Sequence, residues 1–122
     1  MKMTRAIAAF SLPLTLSACA TQSPMIGLWQ NPGDCQYFPA YVRVSATDKD
    51  HIGFAMYDDP NSYNPAREPQ LVAPMPAPSD TDKVNFSNEF FSLIGPDTLN
   101  FVAKGPDAVG TCNFTRDKKA AQ

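Results

Sequence analysis

Histidine occurs once in this chain, at position 51, and glycine only six times in 122 residues. A single imidazole cannot provide the paired histidines of a zinc motif, and no glycine opens a Gly-Lys phosphate loop or a nucleophile elbow. His51 stands beside Asp48 and Asp50; a general base needs a positioned partner and a substrate pocket, so the expected role is a solvated turn residue. Asp58, Asp59 and Asn61 offer oxygen ligands but lack the glycine spacing and distal glutamate of a calcium loop. Helical patterning is missing as well, because beyond the leader no stretch repeats apolar residues at i, i+3, i+4 and i+7. Basic clusters are absent and the formal charge is −2, which argues against a nucleic-acid partner. These absences favour a non-catalytic protein with no metal and no cofactor.

What is present begins with Lys2 and Arg5, followed by an uncharged run from Ala6 to Ala18. At about 13 residues, with Pro13 inside it, the run falls short of the roughly 20 needed to span a bilayer, and it reads as a secretory signal. Its end, Leu16-Ser17-Ala18-Cys19, resembles the lipobox of bacterial lipoproteins. That resemblance implies that residues 1–18 are removed, that the Cys19 thiol is diacylated, and that the new amino group is acylated too. Two or more acyl chains make a lasting anchor where one does not. The implied partner of Cys19 is therefore the lipid bilayer, and the implied address is the cell envelope. Ala20 in place of Asp implies delivery to the outer membrane.

Loss of the leader removes two positive charges and takes the formal charge to about −4, so electrostatic adhesion to anionic lipid is not expected. It also leaves two cysteines, Cys35 and Cys112. An even pair in an exported chain reads as a disulfide. The loop it closes has about 78 residues, for which chain entropy gives roughly 4–5 kcal/mol. A reactive thiol is the competing reading, but neither cysteine has a basic residue beside it.

The remaining residues fit one domain. Residues 19–25 read as a tether, 26–117 as a single β domain and 118–122 as a tail. Val42 and Val44 alternate with Tyr41, Arg43 and Ser45; beyond "TDKD", Ile52, Phe54 and Met56 alternate in turn, which predicts a β-hairpin. Residues 58–82 hold six of the twelve prolines and predict a long loop or extended edge, with Leu71, Val72 and Met75 available to pin it. "KVNF", "EFFSLI", "TLNFVAK" and "TCNFTR" read as further strands with short connections, which favours an antiparallel meander. The predicted fold is all-β: about seven or eight strands in a closed or nearly closed barrel, since a Cys35–Cys112 bridge brings the first and last strands together.

"IGLWQ", residues 26–30, resembles the Gly-x-Trp opening of calycin barrels, which include lipocalins and bacterial barrel inhibitors of secreted proteases. The resemblance concerns Gly27 and Trp29 and implies that the tryptophan plugs one end of a barrel; simple core filling by Trp29 is the competing reading. Tyr41, Tyr57, Phe90 and Phe91 stand opposite the apolar faces, or cannot all point inward, and are candidates for a partner-binding surface. A second packed face beneath the proline-rich loop accounts for them equally well. The expected function is that of an envelope lipoprotein whose β domain binds a periplasmic or envelope protein or a small ligand, in the manner of an inhibitor. The alternative is an accessory or structural component of an envelope or secretion assembly.

Overall fold

The computed structural model describes residues 23–76, 82–105 and 110–118; the lipobox and Cys19 lie outside them. Eight strands are formed: β1 (Gly27–Gln30), β2 (Tyr41–Asp48), β3 (His51–Tyr57), β4 (Leu71–Pro74), β5 (Lys83–Asn85), β6 (Glu89–Leu93), β7 (Thr98–Ala103) and β8 (Gly110–Arg116). Among the described residues the only helical turn is a 3-10 turn at Pro60–Ser62, capped by the Asp59 carboxylate.

The strands make one antiparallel sheet in the order β4-β3-β2-β1-β8-β7-β6-β5. Every neighbour but one is consecutive in the chain; the exception, β1 beside β8, curls the meander into a nearly closed barrel. The break in the ring falls between β4 and β5. Pro74 helps explain why: proline brings no amide proton to an edge, and β5 is only three residues long.

Successive connections alternate between the two ends of such a barrel. Residues 23–26, the β2–β3 turn, the β6–β7 turn and the chain after β8 share one end, called here the entry end. The β1–β2 loop, the segment from β3 to β4, and the β5–β6 and β7–β8 connections share the far end.

Inward positions follow the period of two. Val42 and Val44 on β2, Ile52 and Phe54 on β3, Phe91 on β6, Leu99 and Phe101 on β7, and Cys112 and Phe114 on β8 are all buried. Phe54 stacks on Phe91 with ring centroids 4.3 Å apart, and Phe91 meets Phe101 at 4.4 Å, so aromatic rings fill the lumen from opposite walls.

The Cys35–Cys112 disulfide is formed, with Cα atoms 5.9 Å apart. It ties the β1–β2 loop to β8. One expectation is corrected. Ser23 and Met25, read as tether, are buried, and Met25 belongs to the core, because the Met25 carbonyl accepts the Trp29 indole N–H at 2.9 Å. Of the two readings of the proline-rich stretch 58–82, the extended edge holds for Leu71–Pro74: β4 is an edge strand, pairing with β3 from His51↔Pro74 to Phe54↔Leu71.

Candidate functional site

Tyr57 and Phe91 were candidates for an exposed surface, and both are completely buried. Phe91 points into the lumen, while Phe90 beside it faces outward and is half-buried. Tyr57 does face away from the lumen, as its place in the strand requires, but residues 58–70 fold back over that outer face. Its ring meets Tyr63 at 5.1 Å and the Arg67 guanidinium at 5.3 Å, and its hydroxyl donates to the Asn64 carbonyl at 2.7 Å. Tyr41, half-buried, leans on the same Tyr63 at 5.9 Å. Arg43 donates to the Pro65 carbonyl, and Arg67 to that of Met56. The second packed layer, not a free aromatic surface, accounts for Tyr41 and Tyr57.

Burial, with the neighbouring Tyr63, raises the Tyr57 hydroxyl above its ordinary range. The neutral phenol is thus the folded form, and its contribution is intact below the ordinary tyrosine value of about 10 and lost as pH rises through the folded value. In an alkaline near-ultraviolet absorbance titration, Tyr57→Phe should remove a phenol ionisation that lies above the ordinary tyrosine range.

At the entry end, Trp29 is completely buried beneath the turn made by residues 23–26. Arg116, at the end of β8, lies over its indole, with the guanidinium carbon 4.3 Å from the ring centroid. The same guanidinium donates to the carbonyls of Ile26 at 3.0 Å and Pro24 at 2.8 Å. It also reaches the Pro96 carbonyl in the β6–β7 turn at 3.1 Å. One planar fork thus holds the incoming chain, the tryptophan and a neighbouring turn.

Gly27 makes the clamp possible. Its φ is +149°, and a Cβ there would stand 2.7 Å from Arg116 Nη1. Gly27→Ala should therefore cost about 1–3 kcal/mol through backbone strain and a displaced guanidinium, read as a lower urea midpoint with an unchanged slope. A glycine two residues before a tryptophan is required here by the space the arginine occupies. Nothing in the spacing of the chain pointed to Arg116, which lies 90 residues from Ile26.

The far end carries a cleft of about 250 Å³. Gln30 at the end of β1, Gln36 and Phe38 in the β1–β2 loop, Tyr41 at the start of β2 and Asp58 after β3 line it. The loop is held from within. Asn31 donates through its side-chain amide to the carbonyls of Cys35 and Pro39, and its side-chain oxygen accepts the Gly33 amide at 2.9 Å, a turn for which Gly33 takes a φ of +106°. The disulfide fixes the middle of the loop to β8, and Phe38 meets the Phe101 ring edge-on at 5.1 Å. Tyr37, between two lining residues, is 74% exposed.

Amides, one carboxylate and aromatic rings on a braced loop can hydrogen-bond and stack on a ligand. They include no nucleophile paired with a base. His51 sits at the opposite end of the barrel, where its ring contacts the Asp48 carboxylate at 2.9 Å and holds the Asp48 pKa below its ordinary value, helped by the Asp50 amide. Among the described residues no three His, Cys, Asp or Glu side chains gather as a metal would require.

Comparison with family models, with curated proteins and with solved structures finds no match to this chain.

Proposed function

We propose that this protein is a membrane-anchored lipoprotein of the cell envelope, its β barrel a binding module that presents the far-end cleft to a protein or small ligand. The observation that carries the binding reading is the cleft itself. Its walls are braced by a disulfide and by the Asn31 hydrogen bonds, so little conformational entropy is lost when a ligand docks. Exposed Tyr37 is a large, rigid side chain with few rotamers to freeze, well suited to anchoring a contact. The anchor is carried by the Leu16-Ser17-Ala18-Cys19 motif. The resemblance of Gly27 and Trp29 to calycin barrels suits the same reading, since barrels of that kind bind ligands and proteases, and outer-membrane delivery follows from Ala20.

Cys19→Ser should move the protein from the membrane fraction to the soluble fraction; retention on membranes would overturn the anchor. Tyr37→Ala combined with Gln36→Ala should leave the thermal midpoint unchanged and abolish recovery of a crosslinked partner on a tagged chain. Equal recovery by the variant, or turnover of a cell-wall or peptide substrate by the pure protein, would overturn the binding module. The open edges of β4 and β5 favour a second reading, an accessory component of an envelope assembly held by strand pairing. In that case the protein co-purifies with a large membrane complex, and the Tyr37 and Gln36 substitutions make no difference.

A further inference from the structure

The entry end of the barrel carries a feature that the cleft does not explain. Ile94 is 58% exposed, one of only three large apolar side chains so exposed among the described residues. It opens the β6–β7 turn, whose Pro96 carbonyl accepts from the same Arg116 guanidinium that grips Pro24 and Ile26. The exposed isoleucine and the root of the incoming chain are therefore held at one end by one side chain.

Covalent reach decides what that end can meet. The chain is fixed to the barrel from Ser23, which is buried, and the Met25 amide donates to the Ser23 hydroxyl at 3.1 Å. Only four peptide units separate Cys19 from Ser23, a span of about 13–14 Å at full extension. Strands of about five to seven residues, rising roughly 3.3 Å each and tilted by about 35–45°, make a barrel wall about 12–19 Å tall, and the β1–β2 loop and the segment after β3 extend the far end beyond it. A chain anchored at Cys19 is too short to run past the barrel and turn the far end toward the lipid.

From this we infer that the entry end is a bilayer-contacting face, with Ile94 and the Gly95-Pro96 turn resting in the interfacial region and the far-end cleft held away from it. The inference rests on acylation of Cys19 and adds to it an orientation and a contact surface. The described residues at this end carry no excess of positive charge: Lys49, Lys83, Arg116 and Lys118 stand against Asp48, Asp50, Asp82, Asp97 and Asp117. Asp97 pairs with Arg116 at 3.4 Å and with Lys118 at 3.1 Å, Asp82 is next to Lys83 in the chain, and Lys49 lies between Asp48 and Asp50. Contact with lipid thus depends on apolar burial, not on anionic headgroups, and Lys118, exposed at the edge, can keep its ammonium in water while its stem lies along the surface.

The test uses the full lipidated chain in vesicles of zwitterionic phosphatidylcholine containing brominated acyl chains. An environment-sensitive fluorophore is attached at Ile94→Cys, and in a separate sample at Tyr37→Cys; both positions are exposed, so neither change disturbs packing, and matching thermal midpoints check this. Bromolipid should quench the label at 94 several-fold more than the label at 37, and adding anionic lipid should not change the ratio. Equal quenching, or stronger quenching at 37, on vesicle-bound protein overturns the orientation while leaving the anchor intact. A chain that fails to stay on vesicles overturns both, and the same chain carrying Cys19→Ser supplies the signal that marks that outcome.

Discussion

Reducing the Cys35–Cys112 disulfide should lower the stability of the domain by roughly 4–5 kcal/mol, because the bridge joins residues 77 apart and a loop of that size removes that much entropy from the unfolded chain. Small domains commonly have about 5–15 kcal/mol in total, so the reduced protein should approach the limit of folding. At about 4–8 °C per kcal/mol for a domain of this size, the thermal midpoint should fall by on the order of 20–30 °C. The origin of the effect can be read separately from its size. If the staple acts on the unfolded chain, reduction should expand that state and steepen the urea dependence. Cys35→Ala should match reduction closely, since Cys35 is only half-buried, whereas Cys112→Ala adds the loss of a sulfur from a site 2% exposed. A loss below about 1 kcal/mol on reduction would show that something else already confines the unfolded chain.

Trp29→Ala should cost about 3–5 kcal/mol, in the range for a fully buried aromatic. The structure adds that the loss is shared with Arg116. Without the indole, the guanidinium has no face to lie on; without the guanidinium, the carbonyls of Pro24, Ile26 and Pro96 lose their donor. Hydrogen bonds from a charged donor are worth about 1.5–3 kcal/mol each when dry, but this end is partly hydrated, so Arg116→Ala should cost about 2–3 kcal/mol in total. The double variant should lose less than the sum of the two, the mark of a shared contact. Arg116→Lys should recover little, since a point charge cannot lie flat on an indole and serve carbonyls from two segments. Denaturation midpoints of the four proteins check the cycle, and strict additivity would mean that tryptophan and arginine act independently. Tryptophan fluorescence gives a second view, because removal of Arg116 alone should let water reach the indole and move its emission to longer wavelength.

Much of this architecture was legible in the chain. Alternation in Val42–Val44 and Ile52–Phe54 produced the β2–β3 hairpin because a sheet with one face in a core must repeat with period two. The cysteine pair located β8 beside the start of the sheet because a disulfide tolerates little separation. What could not be read was whatever depended on segments folding over one another. Tyr57 looks outward by parity, yet the chain returns through Tyr63, Asn64 and Arg67 to cover it; period two reports the direction of a side chain, not what lies beyond it. Met25 looked like tether because a single apolar residue beside Pro24 has no period at all, and only Trp29 and Arg116 give it a partner. Tyr37 gave no signal beyond its place in a turn-rich stretch near Cys35, and the far-end cleft is assembled from two connections far apart in the chain, the β1–β2 loop and the segment after β3.

Pairing of β1 with β8 also orders events in time. Every other seam of the ring joins strands that follow one another in the chain, so those hairpins can form as soon as their residues are made. The β1–β8 seam must wait for residues 110–116, and until then Trp29 lacks its arginine and Cys35 its thiol partner. Late closure of so large a loop is entropically slow, and the waiting intermediate is two separate sheets that expose the edges of β1 and β7, which the finished ring pairs with β8. The nascent domain is thus most vulnerable to wrong pairing in the interval before its last strand arrives, and thiol oxidation at Cys35 and Cys112 is the step that makes the closed ring hard to reopen.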